Sequence, residues 1–197
     1  MSYRFTRKPL ESGFYEPEGI YLSTPFTGEA AILQYWGERL EYYRQFTYNG
    51  VALKGYPGIR FAIEPDATLV SVDNGRITEL SIEPGGFERY IKIEHRWGES
   101  VYAHIGNSEV DTGQMVQREQ RVAGAEFQKN SVTWFHFSIR IFPYNRYDGW
   151  GGFTDPLPFI DPSYLQATDQ GFADNLPVDV TEHPVSMIRE TKSMRRP

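Results

Sequence analysis

The chain has 197 residues, of which 40% are hydrophobic and 23% charged, and its formal net charge is −6. This length suits one well-packed domain with appendages better than two domains. The negative charge argues against a general nucleic-acid-binding protein, and no apolar run approaches the ~20 residues of a membrane span. The absence of cysteine excludes disulfides, thiolate metal sites and cysteine nucleophiles.

The N-terminal part of the chain shows little regular pattern. Residues 1–20 contain prolines and glycines without periodicity and predict an irregular arm, after which Tyr21–Phe26 is expected to be extended. A helical pattern spans residues 30–46, but Gly37 interrupts it, so we expect no more than a short helix near Glu38–Gln45. The basic start lacks an apolar segment, which argues against a secretory signal and favours a cytoplasmic or virion-associated protein.

From residue 59 onward, short β-rich runs alternate with turn residues, which is typical of an all-β fold. The Asn74-Gly75 dipeptide predicts a tight turn, and residues 111–120 predict a loop. The expected strands cover residues 59–63, 68–72, 76–82, 90–95, 99–105, 121–125 and 132–142.

The strand expected at residues 132–142 is a long run of β-branched and aromatic residues. Its period of two predicts an apolar face toward a core and a second face with a histidine. The apolar face carries Phe135, Phe137 and Ile139, and the second face carries Trp134, His136 and Ser138. A His-x-His pair would send two imidazoles to one side, but here a tryptophan stands at the first position.

The C-terminal part changes character after Pro143. Glycines and prolines dominate residues 145–162, and residues 161–197 have no sustained period. Isolated apolar residues separated by polar residues and prolines cannot form a core of their own. We therefore expect residues 161–197 to form an extended tail that docks onto other protein subunits, with a disordered tail of no function as the alternative.

Four histidines are candidates for metal binding or catalysis, namely His95, His104, His136 and His183. A catalytic zinc ion needs three protein ligands and an open position. No carboxylate stands in a standard spacing such as His-Glu-x-x-His. For each histidine taken alone, a hydrogen-bonded structural role is the expectation, and His183 in the tail is expected to be solvated.

Five short motifs in one order resemble the lysostaphin-like zinc endopeptidases of bacterial cell walls. They are Gly55-Tyr56-Pro57-Gly58-Ile59-Arg60-Phe61-Ala62, Asp73-Asn74-Gly75, Tyr102-Ala103-His104, Gly113-Gln114-Met115-Val116 and Thr133-Trp134-Phe135-His136-Phe137. The resemblance covers roughly residues 22–160. It implies a compact antiparallel β-sheet core of the duplicated hybrid motif type.

The resemblance also implies which positions once held the metal. The family's Gly-His-x-Gly-x-Asp segment supplies two zinc ligands, and Tyr56 and Arg60 stand there in this chain. The family's Tyr-Ala-His supplies a catalytic histidine, matched by His104. Its final His-x-His supplies a catalytic histidine and a ligand, matched by Trp134 and His136. Two of three ligands and one of two catalytic histidines are therefore replaced.

These replacements predict a vestigial groove without metal or other cofactor, lined by Tyr56, Arg60, His104, Trp134 and His136. A guanidinium has no lone pair for a metal and repels a dication, and a tyrosine ligates only when its pKa is lowered considerably. We expect Arg60 to take the place of the metal, with a hydrogen bond to His136 or a carboxylate, and Trp134 to fill the floor of the groove.

The sequence thus predicts an N-terminal arm at residues 1–21, a degenerate peptidase-like β domain at 22–160 and a tail at 161–197. The predicted function is a catalytically inactive component of a larger protein assembly, bound to other subunits through its arm and tail. The alternatives are a zinc-dependent peptidoglycan endopeptidase with an altered site and a non-hydrolytic module that binds cell wall or peptide.

Overall fold

The computed structural model describes residues 19–84, 86–126 and 132–160. Those residues form twelve strands, one short α-helix and one 3-10 helix. In chain order they are β1 (Ala30–Gln34), α1 (Leu40–Tyr43), β2 (Thr47–Tyr48), β3 (Val51–Ala52), β4 (Ile59–Ile63), β5 (Thr68–Val70), β6 (Gly75–Glu83), β7 (Glu88–His95), β8 (Gly98–Ala103), β9 (Ile105–Ser108), β10 (Met115–Val116), β11 (Arg121–Ala125), β12 (Trp134–Ile141) and the 3-10 helix Leu157–Phe159.

Two antiparallel sheets build the domain. The larger sheet has seven strands in the order β1-β4-β12-β8-β7-β6-β10, and the smaller has three in the order β5-β11-β9. Strands β2 and β3 form a separate hairpin. Strand β12 lies at an inner position of the larger sheet, paired with β4 on one side and β8 on the other.

The main hydrophobic core contains the apolar face of β12. Phe135, Phe137 and Ile139 are fully buried there. The ring of Phe135 stacks on that of Phe61 from β4, with centroids 5.6 Å apart. Tyr102 of β8 crosses this core, and its hydroxyl donates to the Val70 carbonyl oxygen at 2.8 Å. The core therefore links the two sheets through side-chain packing and through a hydrogen bond.

The second face of β12 is buried as well, which the sequence pattern did not predict. Trp134, His136 and Ser138 are at most 4% exposed. Two aromatic clusters pack on this side of the domain. One comprises Tyr43, Tyr48, Leu53 and Tyr56, and the other comprises Phe87, Tyr90, Val101, Ala103 and Phe153. Their aromatic residues explain why a strand with polar side chains on one face has no exposed face.

The predicted all-β antiparallel architecture is confirmed. In the described residues no helix is long and apolar enough to cross a membrane. The predicted helix near Glu38–Gln45 is a single turn, Leu40–Tyr43. The helical interpretation of residues 30–46 was wrong at its start, because Ala30–Gln34 is strand β1. A short apolar run does not distinguish helix from strand, and pairing with β4 decides it.

Other boundaries also differ from the prediction. The strand expected at residues 99–105 ends at Ala103, because His104 has a left-handed backbone (φ 57°) and the chain passes to the other sheet. The segment 21–26 forms only isolated bridges, between Leu22 and Ile160 and between Phe26 and Leu69. The loop expected at residues 111–120 contains the two-residue strand β10.

The predicted division into arm, domain and tail stays a prediction. Most of the arm and all of residues 161–197 lie outside the described residues. His183, whose expected role was that of a solvated residue, lies outside them as well.

Candidate functional site

Pairing between strands brings the predicted site residues together. His136 of β12 lies opposite Arg60 of β4 on one side and Ala103 of β8 on the other. His104 follows Ala103 directly, and Trp134 precedes His136 by one period of the strand. The fold therefore places these residues at one end of the β4–β12–β8 ribbon, where Tyr56 joins them from the loop before β4.

Backbone contacts hold Tyr56 against this ribbon. Its N–H donates to the Glu38 carbonyl at 3.0 Å, and its carbonyl accepts from the Gly37 N–H at 2.9 Å. A Cβ on Gly55 would lie 2.4 Å from the Gly37 carbonyl oxygen, and Gly55 has a φ of +152°. Only glycine combines this conformation with such a close approach. The turn after β1 therefore positions Tyr56.

The hydroxyl of Tyr56 is hydrogen-bonded to Nδ1 of His136 at 2.6 Å. Both side chains are completely buried. Burial raises the pKa of Tyr56 well above its ordinary value, although Arg60 opposes this through its charge and a hydrogen bond to the hydroxyl. Burial also holds the pKa of His136 well below its ordinary value, and the charges of His104 and Arg60 add to that effect. Tyr56 therefore keeps its proton and His136 is neutral.

Arg60 contacts aromatic rings instead of a carboxylate. Its guanidinium carbon lies 4.3 Å from the centroid of the Trp134 ring and 5.5 Å from that of the Tyr56 ring. The side chain is buried, at 6% exposure. Its Nε has no hydrogen-bond partner in the described part of the chain. Among the described residues no bond from Arg60 to His136 or to a carboxylate is found, and the charge lies in cation–π contact with the two rings.

Trp134 connects the arginine to the second histidine. Its indole lies 4.3 Å from the His104 imidazole between centroids, at an interplanar angle of 44°. The backbone N–H of His104 donates to the Phe87 carbonyl at 3.0 Å, which anchors this corner. All five predicted site residues are at most 7% exposed. The five side chains are therefore closed off from solvent, and Trp134 lies among them at 4% exposure.

His136 also has a close neighbour on its other edge. A Cβ built on Gly58 would lie 2.5 Å from Cε1 of His136 and 2.5 Å from the carbonyl oxygen of Phe137. Real Cβ atoms do not approach so closely, so only glycine fits between β4 and this imidazole. Gly58 thus sets how deeply His136 sits in the site.

Aromatic residues that the sequence did not single out cover the site. The ring of Phe87 lies 5.4 Å from the His136 imidazole. Trp36, which packs on the Phe87 cluster, stacks on Trp150 with centroids 4.6 Å apart. These three residues come from separate loops, so no local motif marks them. The high aromatic content was the only signal in the sequence that could have pointed to them.

A buried arginine fastens the glycine-rich segment to the sheet. Arg140 of β12 is 1% exposed. It forms an ion pair with Glu99, donates from Nε to the Gly151 carbonyl at 2.9 Å and from Nη2 to the Tyr48 hydroxyl at 2.5 Å. Its guanidinium carbon lies 3.9 Å from the Phe153 ring centroid. Sequence analysis assigned no role to Arg140.

His95 has the structural role expected of an isolated histidine. Its Nε2 is 2.7 Å from the Ser100 hydroxyl, its Nδ1 is 2.9 Å from the Asn74 carbonyl, and its ring stacks on Trp97. Burial lowers the pKa of His95 to about 4. It lies in the turn region of β6 and β7, and none of its recorded contacts is to a residue of the predicted site.

The residues at the former ligand positions do not fit a zinc ion. Arg60 has no lone pair. Tyr56 keeps its proton and directs its hydroxyl at Nδ1 of His136. In the described residues no three His, Cys, Asp or Glu side chains are placed to hold a metal ion together. One suitable donor, His136, remains, whereas a catalytic zinc needs three.

The two-sheet architecture and the order of the site positions define a lysostaphin-like peptidase domain. The profile of Peptidase family M23 matches residues 54–148, which contain all five site residues. This match agrees with the resemblance that the motifs predicted. A curated relative, an uncharacterized metalloprotease from Haemophilus influenzae, is 26% identical over 72 residues, which are 36% of this chain and 15% of that protein. The chain thus spans a small part of that relative.

Solved structures show the same fold. Lysostaphin from Staphylococcus simulans is 15% identical with a TM-score of 0.52, over 75% of this chain and 55% of that chain. A chain from the SpoIIQ–SpoIIIAH pore-forming complex is 18% identical with a TM-score of 0.52, over 76% of this chain and 99% of that chain. At these identities the likeness concerns the fold alone, and it agrees with the lysostaphin-like architecture predicted from the motifs.

Proposed function

We propose that this chain is a catalytically inactive peptidase-like domain that serves as a structural or interaction component of a larger protein assembly. One observation carries the proposal. At the positions where the family resemblance places zinc ligands, the Arg60 guanidinium lies over the Trp134 ring, and the Tyr56 hydroxyl is bonded to Nδ1 of His136.

The chemistry of hydrolysis supports this proposal. A zinc peptidase activates water at a metal that keeps one open position. Neither Tyr56, with its raised pKa, nor the Arg60 guanidinium supplies a metal-binding lone pair. The closed site adds a second obstacle, because side chains at most 7% exposed do not contact a peptide in solution. A domain with this interior is suited to a structural or interaction role.

A role in an assembly has separate support. A chain of the same fold occurs in a complex described as pore-forming. Isolated apolar residues in the C-terminal 37 residues of this chain, 161–197, are suited to lie extended over a partner's surface. We therefore place the interaction with other subunits in the arm and the tail, outside the former site.

The test is metal content combined with peptidoglycan turnover. The full chain is purified without chelator, analysed for zinc and incubated with purified peptidoglycan, with lysostaphin as the active control. We expect no stoichiometric zinc and no release of soluble fragments with or without added ZnCl₂. Zinc-dependent release of fragments above the buffer blank would establish the altered-site endopeptidase instead.

Co-sedimentation with insoluble peptidoglycan tests the remaining alternative, a module that binds cell wall without cleaving it. If the domain pelleted with insoluble cell wall without cleaving it, the non-hydrolytic binding module would be correct. We expect the protein to stay in the supernatant, because the site offers no open groove.

A further inference from the structure

The two ring nitrogens of His136 lie in different surroundings. Nδ1 is 2.6 Å from the Tyr56 hydroxyl. Nε2 is buried and has no hydrogen-bond partner in the described part of the chain. A Cβ on Gly58 would lie 3.0 Å from Nε2, so the ring edge packs directly on the backbone. Neither nitrogen presents a free lone pair toward open space.

The direction of the hydrogen bonds follows from Arg60. A guanidinium can only donate, and that of Arg60 lies 5.5 Å from the centroid of the Tyr56 ring, so its positive charge favours a phenolic oxygen that keeps its lone pairs toward the cation and turns its proton away. The Tyr56 hydroxyl has one other recorded polar neighbour, Nδ1 of His136. Its proton therefore points at Nδ1, and the imidazole proton resides on Nε2. The Tyr56 hydroxyl thus donates to His136 beside the Arg60 cation.

The neighbours of the Arg60 charge are unusual for a buried arginine. No carboxylate of the described residues is recorded in an ion pair with Arg60, in contrast to Arg140, which is paired with Glu99. The guanidinium lies instead against Trp134 and Tyr56, with a neutral His136 opposite it in register. A cation with aromatic and neutral neighbours occupies the part of the site where the resembled enzymes hold a dication.

We propose that a proton and a guanidinium together replace the metal ion of this fold. The Tyr56 hydroxyl proton takes the Nδ1 lone pair of His136, and Arg60 supplies the positive charge between the strand and the loop. The site is then complete without metal, and it excludes zinc because its one histidine donor is already occupied. This inference rests on the proposed function and explains how the domain keeps its fold without its ion.

The first test measures the His136 tautomer directly. Nitrogen-15 correlation spectra of the labelled full chain at pH 7.5 identify which ring nitrogen carries the proton. We expect one tautomer for His136, with Nε2 protonated and Nδ1 shifted as a strong hydrogen-bond acceptor. A protonated Nδ1, or a mixture of tautomers, would overturn the proposal. This measurement needs no variant and therefore does not depend on how substitutions fold.

A matched pair of variants assigns the bond to Tyr56. In Tyr56→Phe the Nδ1 resonance of His136 is expected to move toward that of a free acceptor nitrogen. The control is Tyr43→Phe, which removes a buried neighbouring hydroxyl whose recorded partner is Gln34, at 3.4 Å. It should leave His136 unchanged. Equal effects of both substitutions, or none from Tyr56→Phe, would contradict the proposal.

The second test uses zinc as the probe. Wild-type protein titrated with ZnCl₂ is expected to show no binding in calorimetry and no change in thermal midpoint. The variant Tyr56→His/Arg60→Asp replaces the proton donor and the cation with metal ligands beside His136. It should bind one equivalent of zinc, with a midpoint that rises as zinc is added. A folded variant that binds none would show that these positions are not interchangeable with a metal.

The outcomes separate this inference from the proposed function. A wrong His136 tautomer with no hydrolysis overturns only the replacement of the metal by Tyr56 and Arg60. Fragment release from peptidoglycan overturns the inactive assembly component. Zinc bound at His136 in the wild-type protein overturns the replacement and reopens the enzymatic alternative.

Discussion

At the scale of single residues, the site depends on one glycine as much as on its polar side chains. Gly58 lies where β4 begins and His136 packs over it. Its lack of a Cβ lets the imidazole lie deep enough for Nδ1 to reach the Tyr56 hydroxyl. The family motif contains glycine at this position, and the structure shows the steric reason in this chain.

Gly58→Ala should therefore destabilise the domain. The new methyl group would lie 2.5 Å from both Cε1 of His136 and the Phe137 carbonyl, and we expect a loss of about 1–3 kcal/mol in the free energy of unfolding. The control is Gly124→Ala in β11, where a Cβ meets nothing within 4 Å. Urea denaturation measures both. Similar losses in the two variants would show that the close approach to His136 is not the cause.

The buried imidazole of His95 makes stability depend on pH. Burial lowers its pKa from 6.5 to about 4, so below pH 6.5 the unfolded chain binds a proton that the folded chain does not. Stability is thus full above pH 6.5 and falls with decreasing pH, by about 1.4 kcal/mol per unit until the folded state protonates near pH 4.

Urea denaturation at pH 7.5 and 5.0 checks this expectation. In His95→Gln the loss of stability between these two pH values should be smaller than in wild type by about 2 kcal/mol. His183→Gln in the tail serves as the control. An unchanged pH dependence in His95→Gln would mean that His95 is not the group that takes up the proton.

At the scale of elements, strand β12 organises the molecule from both of its faces. Its apolar face contributes Phe135 and Phe137 to the core. Its second face carries His136 into the former site and, further along, Arg140 into a buried network with Glu99 and Tyr48. Arg140 also bonds the carbonyl of Gly151, so the strand holds the glycine-rich segment that covers this face.

Arg140→Met should strongly destabilise the domain. The substitution keeps much of the apolar stem but leaves Glu99, 14% exposed at its side chain, without its partner. Breaking a buried pair in this way costs about 3–5 kcal/mol. The matched control is Arg76→Met, which breaks the exposed pair Arg76–Glu94 and should cost less than about 1 kcal/mol. Chemical denaturation measures the free energy of unfolding of both variants. Equal losses would show that the buried Arg140–Glu99 pair matters no more than an exposed one.

At the scale of the whole molecule, the described domain has a closed interior, so we expect partners to bind at its surface or through its arm and tail. The two sheets and the two aromatic clusters bury the five predicted site residues, each of which is at most 7% exposed. The apolar residues of the tail include Phe172, Leu176 and Val178. We expect these apolar side chains to contribute to binding when they are buried against the surface of a partner.

Deletion of residues 161–197 should leave the β domain folded and remove its assembly. We expect little change in the thermal midpoint and loss of co-purification with partner subunits. A variant with Phe172, Leu176 and Val178 replaced by serine tests the same anchors without the deletion. If the truncated protein still assembles with its partners at full strength, the tail is not the docking element.

The sequence by itself determined the fold class, the resemblance to the lysostaphin-like peptidases and the residues at the positions of that family's ligands. Strand periodicity and turn dipeptides are local features of the sequence, and the order of motifs can be read without knowing any contact. Tyr56, Arg60 and His136 could therefore be named from the sequence. Pairing of β4, β12 and β8 was then enough to bring them together.

Only the tertiary structure decided what those residues do. It showed that the Arg60 guanidinium lies over the Trp134 ring, and that Ala30–Gln34 is a strand because β4 pairs with it. It also showed that Phe87 packs on His136, and that Trp36 packs on the Phe87 cluster and stacks on Trp150. Such contacts join residues far apart in the chain, and burial then sets their pKa values. No periodicity or spacing in the sequence encodes either effect.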